Sequence, residues 1–154
     1  ELIKQYGALF NKEPEAETLI SKQKSEFSQL TNQLKGVKKK RVVYLIWRNP
    51  YMTIGNDTFI NYLLKIAGFE NVFANKSRYP ELQLESLKDL AIDYVFLSSE
   101  PYPFNEKHFK DFKGIIDKSK LIKVDGEYFS WYGSRLLGAA TYFKHLRASL
   151  GLGL

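Results

Sequence analysis

The 154-residue chain has no cysteine. Disulfides, thiolate metal sites and cysteine nucleophiles are therefore excluded, which fits an oxidising, extracytoplasmic setting. Histidine is nearly as scarce. His108 and His145 are the only two, and each lies in a charged helical stretch, where an exposed helix residue is expected rather than a base or a metal ligand. No run approaches the roughly 18 uninterrupted apolar residues that cross a bilayer. The sequence shows no initiator methionine and no signal-peptide pattern and opens inside an amphipathic repeat, so an excised or processed fragment is expected. Phosphate-binding motifs are missing too: Gly55-Asn56-Asp57-Thr58 resembles a turn into a helix N-terminus, yet neither G-x-G-x-x-G nor a P-loop lysine accompanies it. Helix capping explains those residues better. Ser98 and Ser99 close an apolar run like a nucleophile, but without a G-x-S-x-G elbow.

What the chain has is aromatic side chains in particular places. Nine of its 23 Phe, Tyr and Trp residues fall in four short segments: 47–52, 78–81, 100–104 and 127–132. Each follows or flanks a predicted strand, and each mixes rings with Pro, Gly or charge. In an open α/β sheet, loops at the carboxyl ends of the strands share one edge, where ligands bind. Trp47, Tyr51, Tyr79, Tyr102, Tyr128 and Trp131 could line a shallow cleft there, with Arg48, Arg78 and Arg135 beside them to meet carboxylate or phosphate groups. Packing between loop and core is the competing explanation for each ring taken alone.

Hydrophobic periodicity supplies the rest of the organisation. Leu2, Ile3, Tyr6, Leu9 and Phe10 are spaced for a helix ending near Asn11. A longer helix is predicted from about 14 to 35, with Pro14 in its first turn, Glu13, Glu15 and Glu17 near its positive end, and Gly36 as its stop. Its apolar stripe is Ala16, Leu19, Ile20, Phe27, Leu30 and Leu34. An alternating α/β pattern follows. Strands are predicted at 42–47, 71–74, 94–97 and 121–124, and helices at 58–67, 84–90, 106–112 and 134–149. Asn56 or Asp57 is expected to cap the first of these helices and Gly68 to end it, while the Gly-Leu-Gly-Leu tail is read as disordered or as extraneous to the native chain.

The formal charge of +6 raises nucleic-acid binding as one function class. The excess is concentrated in Lys38-Lys39-Lys40-Arg41 and in scattered helix lysines, a pattern more typical of a solvated connection before a buried strand than of a phosphate track. A small α/β enzyme using the same loop edge is the other alternative; it needs a perturbed acid or base converging with a nucleophile. No such constellation assembles itself in the sequence.

Arg48-Asn49-Pro50-Tyr51-Met52-Thr53-Ile54-Gly55-Asn56-Asp57-Thr58-Phe59-Ile60, then 67–73, Arg78-Tyr79-Pro80-Glu81 and 97–104 resemble the C-terminal half of cobalamin and iron-siderophore substrate-binding proteins of ABC transporters. The order and spacing agree from about residue 5 to residue 147. The resemblance implies a three-layer α/β sandwich lobe with a central, mainly parallel sheet of four or five strands, residues 37–150, preceded by N-terminal helices 1–36 that include the long backbone helix. It implies a non-enzymatic protein without catalytic, metal or cofactor residues, capturing cobalamin or an iron chelate such as a siderophore or haem. Ligand-facing residues carried over are Trp47, Arg48, Tyr51, Tyr79, Glu127, Tyr128 and Trp131. Glu85 matches a glutamate that docks on the ABC-transporter permease, with Glu81 as substitute. The implied setting is periplasmic or that of a cell-surface lipoprotein, peripheral to the membrane through the permease, with no nucleic-acid partner. The family's N-terminal lobe has no counterpart in this sequence, so self-association of the isolated lobe is expected through surface left uncovered.

Overall fold

The computed structural model describes residues 2–154, apart from the side chain of residue 134. In chain order its elements are α1 (Leu2–Leu9), α2 (Glu13–Gln33), β1 (Lys40–Leu45), β2 (Tyr51–Met52), α3 (Phe59–Ile66), β3 (Phe69–Asn71), β4 (Glu81–Leu82), β5 (Tyr94–Ser98), β6 (Leu121–Val124), α4 (Glu127–Ser130) and α5 (Leu136–Ser149). Tight 3₁₀ turns occupy Leu84–Leu87, Glu106–Phe112, Lys118–Lys120 and Gly133–Arg135. Two compact units result: residues 1–37 with 131–154, and residues 38–130.

The second unit is organised by one sheet. Its order is β3-β1-β5-β6 and every pairing is parallel, as the continuous apolar runs predict. Val42, Val43, Tyr44, Leu45, Val95, Phe96 and Leu97 are fully buried, because both faces of the sheet are covered. One face packs Val43, Leu45, Val95, Leu97 and Leu121 against Leu84, Leu87, Phe104 and Phe112 of the 3₁₀ segments and their loops. Alternation along the strands turns Tyr44 the other way. There its ring meets Phe129 of α4 edge-on, at 5.2 Å between centroids, while Phe69 meets Phe96 at 5.0 Å. The buried Tyr44 hydroxyl donates to Ser98 Oγ at 3.0 Å, so a polar group at the centre of the core is satisfied. A hydroxyl engaged in this way is poorly placed to serve as a nucleophile.

The first unit is helical. Gly7 lets α1 approach α2 closely: a Cβ at this position would lie 2.5 Å from the Ala16 side chain. α2 packs on α5 as well as on α1. Yet only Ala16 and Leu30 are buried along its 21 residues, and Leu19 from the predicted stripe is exposed. No helix of the described residues is long and apolar enough to cross a membrane.

Several expectations need correction. The second strand of the sheet is Phe69–Asn71, not 71–74. The Asn71 side chain accepts the Phe73 N–H at 3.0 Å and turns the chain out of the sheet. Thr58 caps α3, accepting the Asn61 N–H, in place of Asn56 or Asp57. The helix expected over 84–90 is a four-residue 3₁₀ turn, and the final α-helix begins at Leu136 rather than Ser134. A short antiparallel pair, β2 with β4, was not foreseen. Nor is the tail disordered: Arg147, 1% exposed, donates from Nε and Nη2 to the Gly153 carbonyl.

Candidate ligand-binding site

In the second unit the chain moves from β1 to β3 on one side and then crosses to β5 on the other. The order therefore reverses between β1 and β5, and the crevice beyond their carboxyl ends is the expected binding position in such a sheet. Trp47, just past β1, and Tyr102, just past β5, stand on its two sides. Their rings meet edge-on with centroids 5.7 Å apart, and the Tyr102 N–H donates to the Ile46 carbonyl at 3.2 Å. Trp47 nevertheless keeps 40% of its surface exposed.

A tight turn presents the β1 side. Ile46 N–H donates to the Met52 carbonyl and Met52 N–H to the Trp47 carbonyl, with Asn49 at the tip adopting φ 61°, a conformation asparagine tolerates better than most residues. Tyr51 turns inward from this turn. Its ring stacks on Phe104 and meets Phe112 edge-on, and its hydroxyl donates to Asp111 Oδ2 at 2.7 Å. Arg48 Nε donates to the same oxygen at 2.8 Å. One carboxylate, 63 residues along the chain from Arg48, thus anchors two of the predicted ligand-facing residues.

The electrostatics follow from that geometry. The Arg48 hydrogen bond holds the Asp111 carboxyl below its usual range. Asp111, and then the Tyr51 hydroxyl, hold the guanidinium charged well above its usual range. Burial, with Asp111 adding to it, pushes the Tyr51 phenol up. His108 completes the cluster and corrects another expectation, since it is buried at 5% exposure. Its Nδ1 accepts the Asn105 N–H at 3.1 Å; in the neutral ring Nε2 then carries the proton, 3.2 Å from the Tyr102 hydroxyl. Burial, followed by the positive charge of Arg48, lowers its pKa. His145 is exposed, as the sequence predicts.

Tyr79, 45% exposed, comes from the loop between β3 and β4. Thr53 N–H donates to the Pro80 carbonyl and Gly55 N–H to the Arg78 carbonyl, which fastens this loop beside the turn after β1. Gly55 is required for the approach, because a Cβ there would lie 2.5 Å from the Lys76 carbonyl oxygen. Gly55-Asn56-Asp57-Thr58 therefore seats the Tyr79 loop and caps α3. Glu127 and Tyr128 are half-buried in α4, whose start is tied to the β5 side by the Gly126 N–H donating to Ser99 Oγ at 3.0 Å. Trp131 belongs to the first unit and is half exposed. Glu85 is exposed in the 3₁₀ turn Leu84–Leu87, and Glu81 is exposed in β4.

Two of the four charges of the basic run are paired: Lys40 with Asp93 at 2.9 Å and Arg41 with Glu70 at 3.7 Å. Among the described residues no group of three His, Cys, Asp or Glu side chains could hold a metal ion. Sequence reasoning missed Asp111 and His108, whereas Tyr102 was among the rings expected to line the cleft. Neither of the two belongs to a motif that signalled it.

Comparison with known proteins gives these observations a context. Residues 1–117 match a family model described as periplasmic binding protein. No curated protein matches the chain. Among solved structures, IsdE of S. aureus complexed with heme is 21% identical, with a TM-score of 0.72 over 95% of this chain and 61% of that one. An ABC-type Fe³⁺-hydroxamate transport system structure from Saccharomonospora viridis is 18% identical, TM-score 0.72, over 97% and 54%. The vitamin B12 binding protein BtuF of Vibrio cholerae is 16% identical, TM-score 0.62, over 80% and 51%. The chain thus spans a little over half the length of these structures.

Proposed function

The chain belongs to the periplasmic binding protein family, and from that premise we propose that it forms one ligand-binding lobe, together with the backbone helix α2, of a substrate-binding protein that delivers cobalamin or an iron chelate to an ABC importer. The observation carrying this reading is the set of side chains at the carboxyl ends of β1 and β5, where the strand order reverses. Exposed Trp47 lies against Tyr102 there, and Arg48 and Tyr51 are held beside them by Asp111. Large rings kept partly exposed by a hydrogen-bonded support suit a broad, flat ligand, since such rings give contact area at little entropic cost. Tyr79, Glu127 and Tyr128 belong to the same proposed ligand-facing set, and Trp131, in the first unit, is proposed as a ligand-facing residue in its own right. The role is binding and release without catalysis, in an extracytoplasmic setting.

Two further surfaces fit the role. Glu85 would dock on the permease: Glu85→Ala is expected to lower uptake and leave ligand affinity unchanged, and wild-type uptake at limiting ligand would remove it from the mechanism. The apolar face of the first unit, with Tyr6, Leu9 and Phe10 more than half exposed, would be covered by a companion lobe or, in its absence, by a second copy of the chain.

Isothermal titration of the chain with cyanocobalamin, haem and ferrichrome tests the main proposal. At least one should bind, and Trp47→Ala and Tyr79→Ala should each weaken it by about tenfold, roughly 1.4 kcal/mol, with little change in the urea midpoint. Binding untouched by either substitution, or a loss of several kcal/mol in stability from both, would show that these rings serve the core.

A further inference from the structure

The Arg48–Asp111 pair also bears on which ligands the lobe admits. The guanidinium is tethered through Nε, its other donors lie close to the Tyr51 and Tyr102 hydroxyls, and the carboxylate 2.8 Å away balances its charge. Tyr51 is tied to the same oxygen at 2.7 Å, so the two donors share one anchor. The surroundings are balanced in the same sense. The segments following β1, β3, β5 and β6, residues 46–58, 72–80, 99–112 and 125–130, carry five Lys or Arg against six Asp or Glu. The excess behind the chain's net +6 therefore lies elsewhere, much of it in Lys38-Lys39-Lys40-Arg41 at the opposite, amino-terminal edge of the parallel strands. A polyanion finds no excess of positive charge on this edge and meets Asp111 at close range. An uncharged, oxygen-rich chelate can accept from Arg48 without that repulsion.

Resting on the lobe reading above, we propose that this wall selects a metal chelate of little or no net charge over a polyanionic one, and that Asp111 sets the selectivity as a positioning residue acting through Arg48 and Tyr51. The probes are ferrichrome, an uncharged iron(III) trihydroxamate, and ferric enterobactin, a trianionic tricatecholate. The wild-type chain is expected to favour ferrichrome. Asp111→Asn keeps the shape and an acceptor for Tyr51 but removes the negative charge. Affinity for the trianion should rise about tenfold at low salt and the gain should shrink as salt shortens the screening length, while affinity for ferrichrome falls a few-fold as the tether on Arg48 weakens from an ion pair to a neutral hydrogen bond. A merely structural Asp111 would move both ligands the same way. If Asp111→Asn proves too unstable to titrate, Arg48→Gln gives the mirror experiment: the uncompensated carboxylate should weaken the trianion more than ferrichrome. A wild-type preference for the trianion, a parallel loss of both ligands in Asp111→Asn, or equal losses in Arg48→Gln overturns the proposal. If wild type binds neither probe nor any other complex titrated above, the lobe reading itself fails, and this inference fails with it.

Discussion

The two units bury their apolar residues very differently. In residues 38–130 the strands are covered on both faces, and of the rings left at the surface Trp47 and Tyr79 stand in loops at the carboxyl edge of the sheet while Tyr62 lies on the outer face of α3. In the helical unit the apolar residues follow helical spacing equally well, yet Leu2, Tyr6, Leu9, Phe10 and Leu19 are all exposed. Periodicity says which way a side chain points relative to its own element; it does not say whether anything packs there. One unit has a complete core and leaves only single rings exposed, two in loops and one on α3. The other presents an apolar face larger than its own helices cover.

The sharpest way to break that comparison is to truncate one ring in each unit. Phe96 is fully buried against Phe69, and Phe96→Ala is expected to cost about 3 to 5 kcal/mol. Phe10, 66% exposed, should cost within about 0.5 kcal/mol. Urea midpoints of the two variants decide the matter. Similar losses would mean that α1 is covered in solution by something the single chain does not supply.

The same contrast shows where sequence reasoning reaches its limit. The parallel sheet was legible because runs such as Val42–Leu45 and Val95–Leu97 have no use outside a doubly covered strand. α3 was legible from its spacing and from Gly68, which takes φ 79° at its end. Phe69–Asn71 was placed late because an Asn side chain accepting from the backbone two residues on ends a strand in a way that hydrophobicity does not record. Among site residues, Trp47 and Tyr79 announced themselves as large rings in short polar loops. Asp111 could not, being one carboxylate in a lysine-rich stretch whose partner lies 63 residues away. His108 looked like a surface residue for the same reason, although its ring is fixed by the Asn105 N–H and packed between Tyr102 and Phe104.

His108 also sharpens the comparison through pH. Its folded pKa is lowered by burial and by Arg48, with Lys107 and Lys110 acting in the same direction and Asp111 opposing. The unfolded chain therefore takes up a proton first, near the ordinary histidine value of about 6.5. Stability is full above that pH and declines as pH falls below it, until the folded form is protonated in turn. Asp111, also depressed, begins to contribute its own loss only below the ordinary aspartate range. Urea midpoints of wild type should thus fall between about pH 7 and pH 5, and His108→Gln should flatten that interval. A wild-type midpoint that stays level across the interval would show that the buried ring accepts its proton without penalty.

The smallest expected effect on stability falls on the apolar face of α1. Leu9 and Phe10, at 69% and 66% exposure, are the most exposed large apolar side chains of the first unit. Replacing both with lysine removes apolar surface from water contact without opening a cavity, so the urea midpoint should move by no more than about 0.5 kcal/mol. The outcome that matters lies in solution behaviour. An exposed apolar patch of this kind on an isolated chain favours association, and the two added charges should oppose it. Sedimentation of the wild-type chain should shift with concentration, and that of the Leu9→Lys, Phe10→Lys variant should not. A wild-type chain that stays monomeric over the whole range would mean that the face tolerates water, and that the deficit of cover in the helical unit is smaller than its exposed side chains suggest.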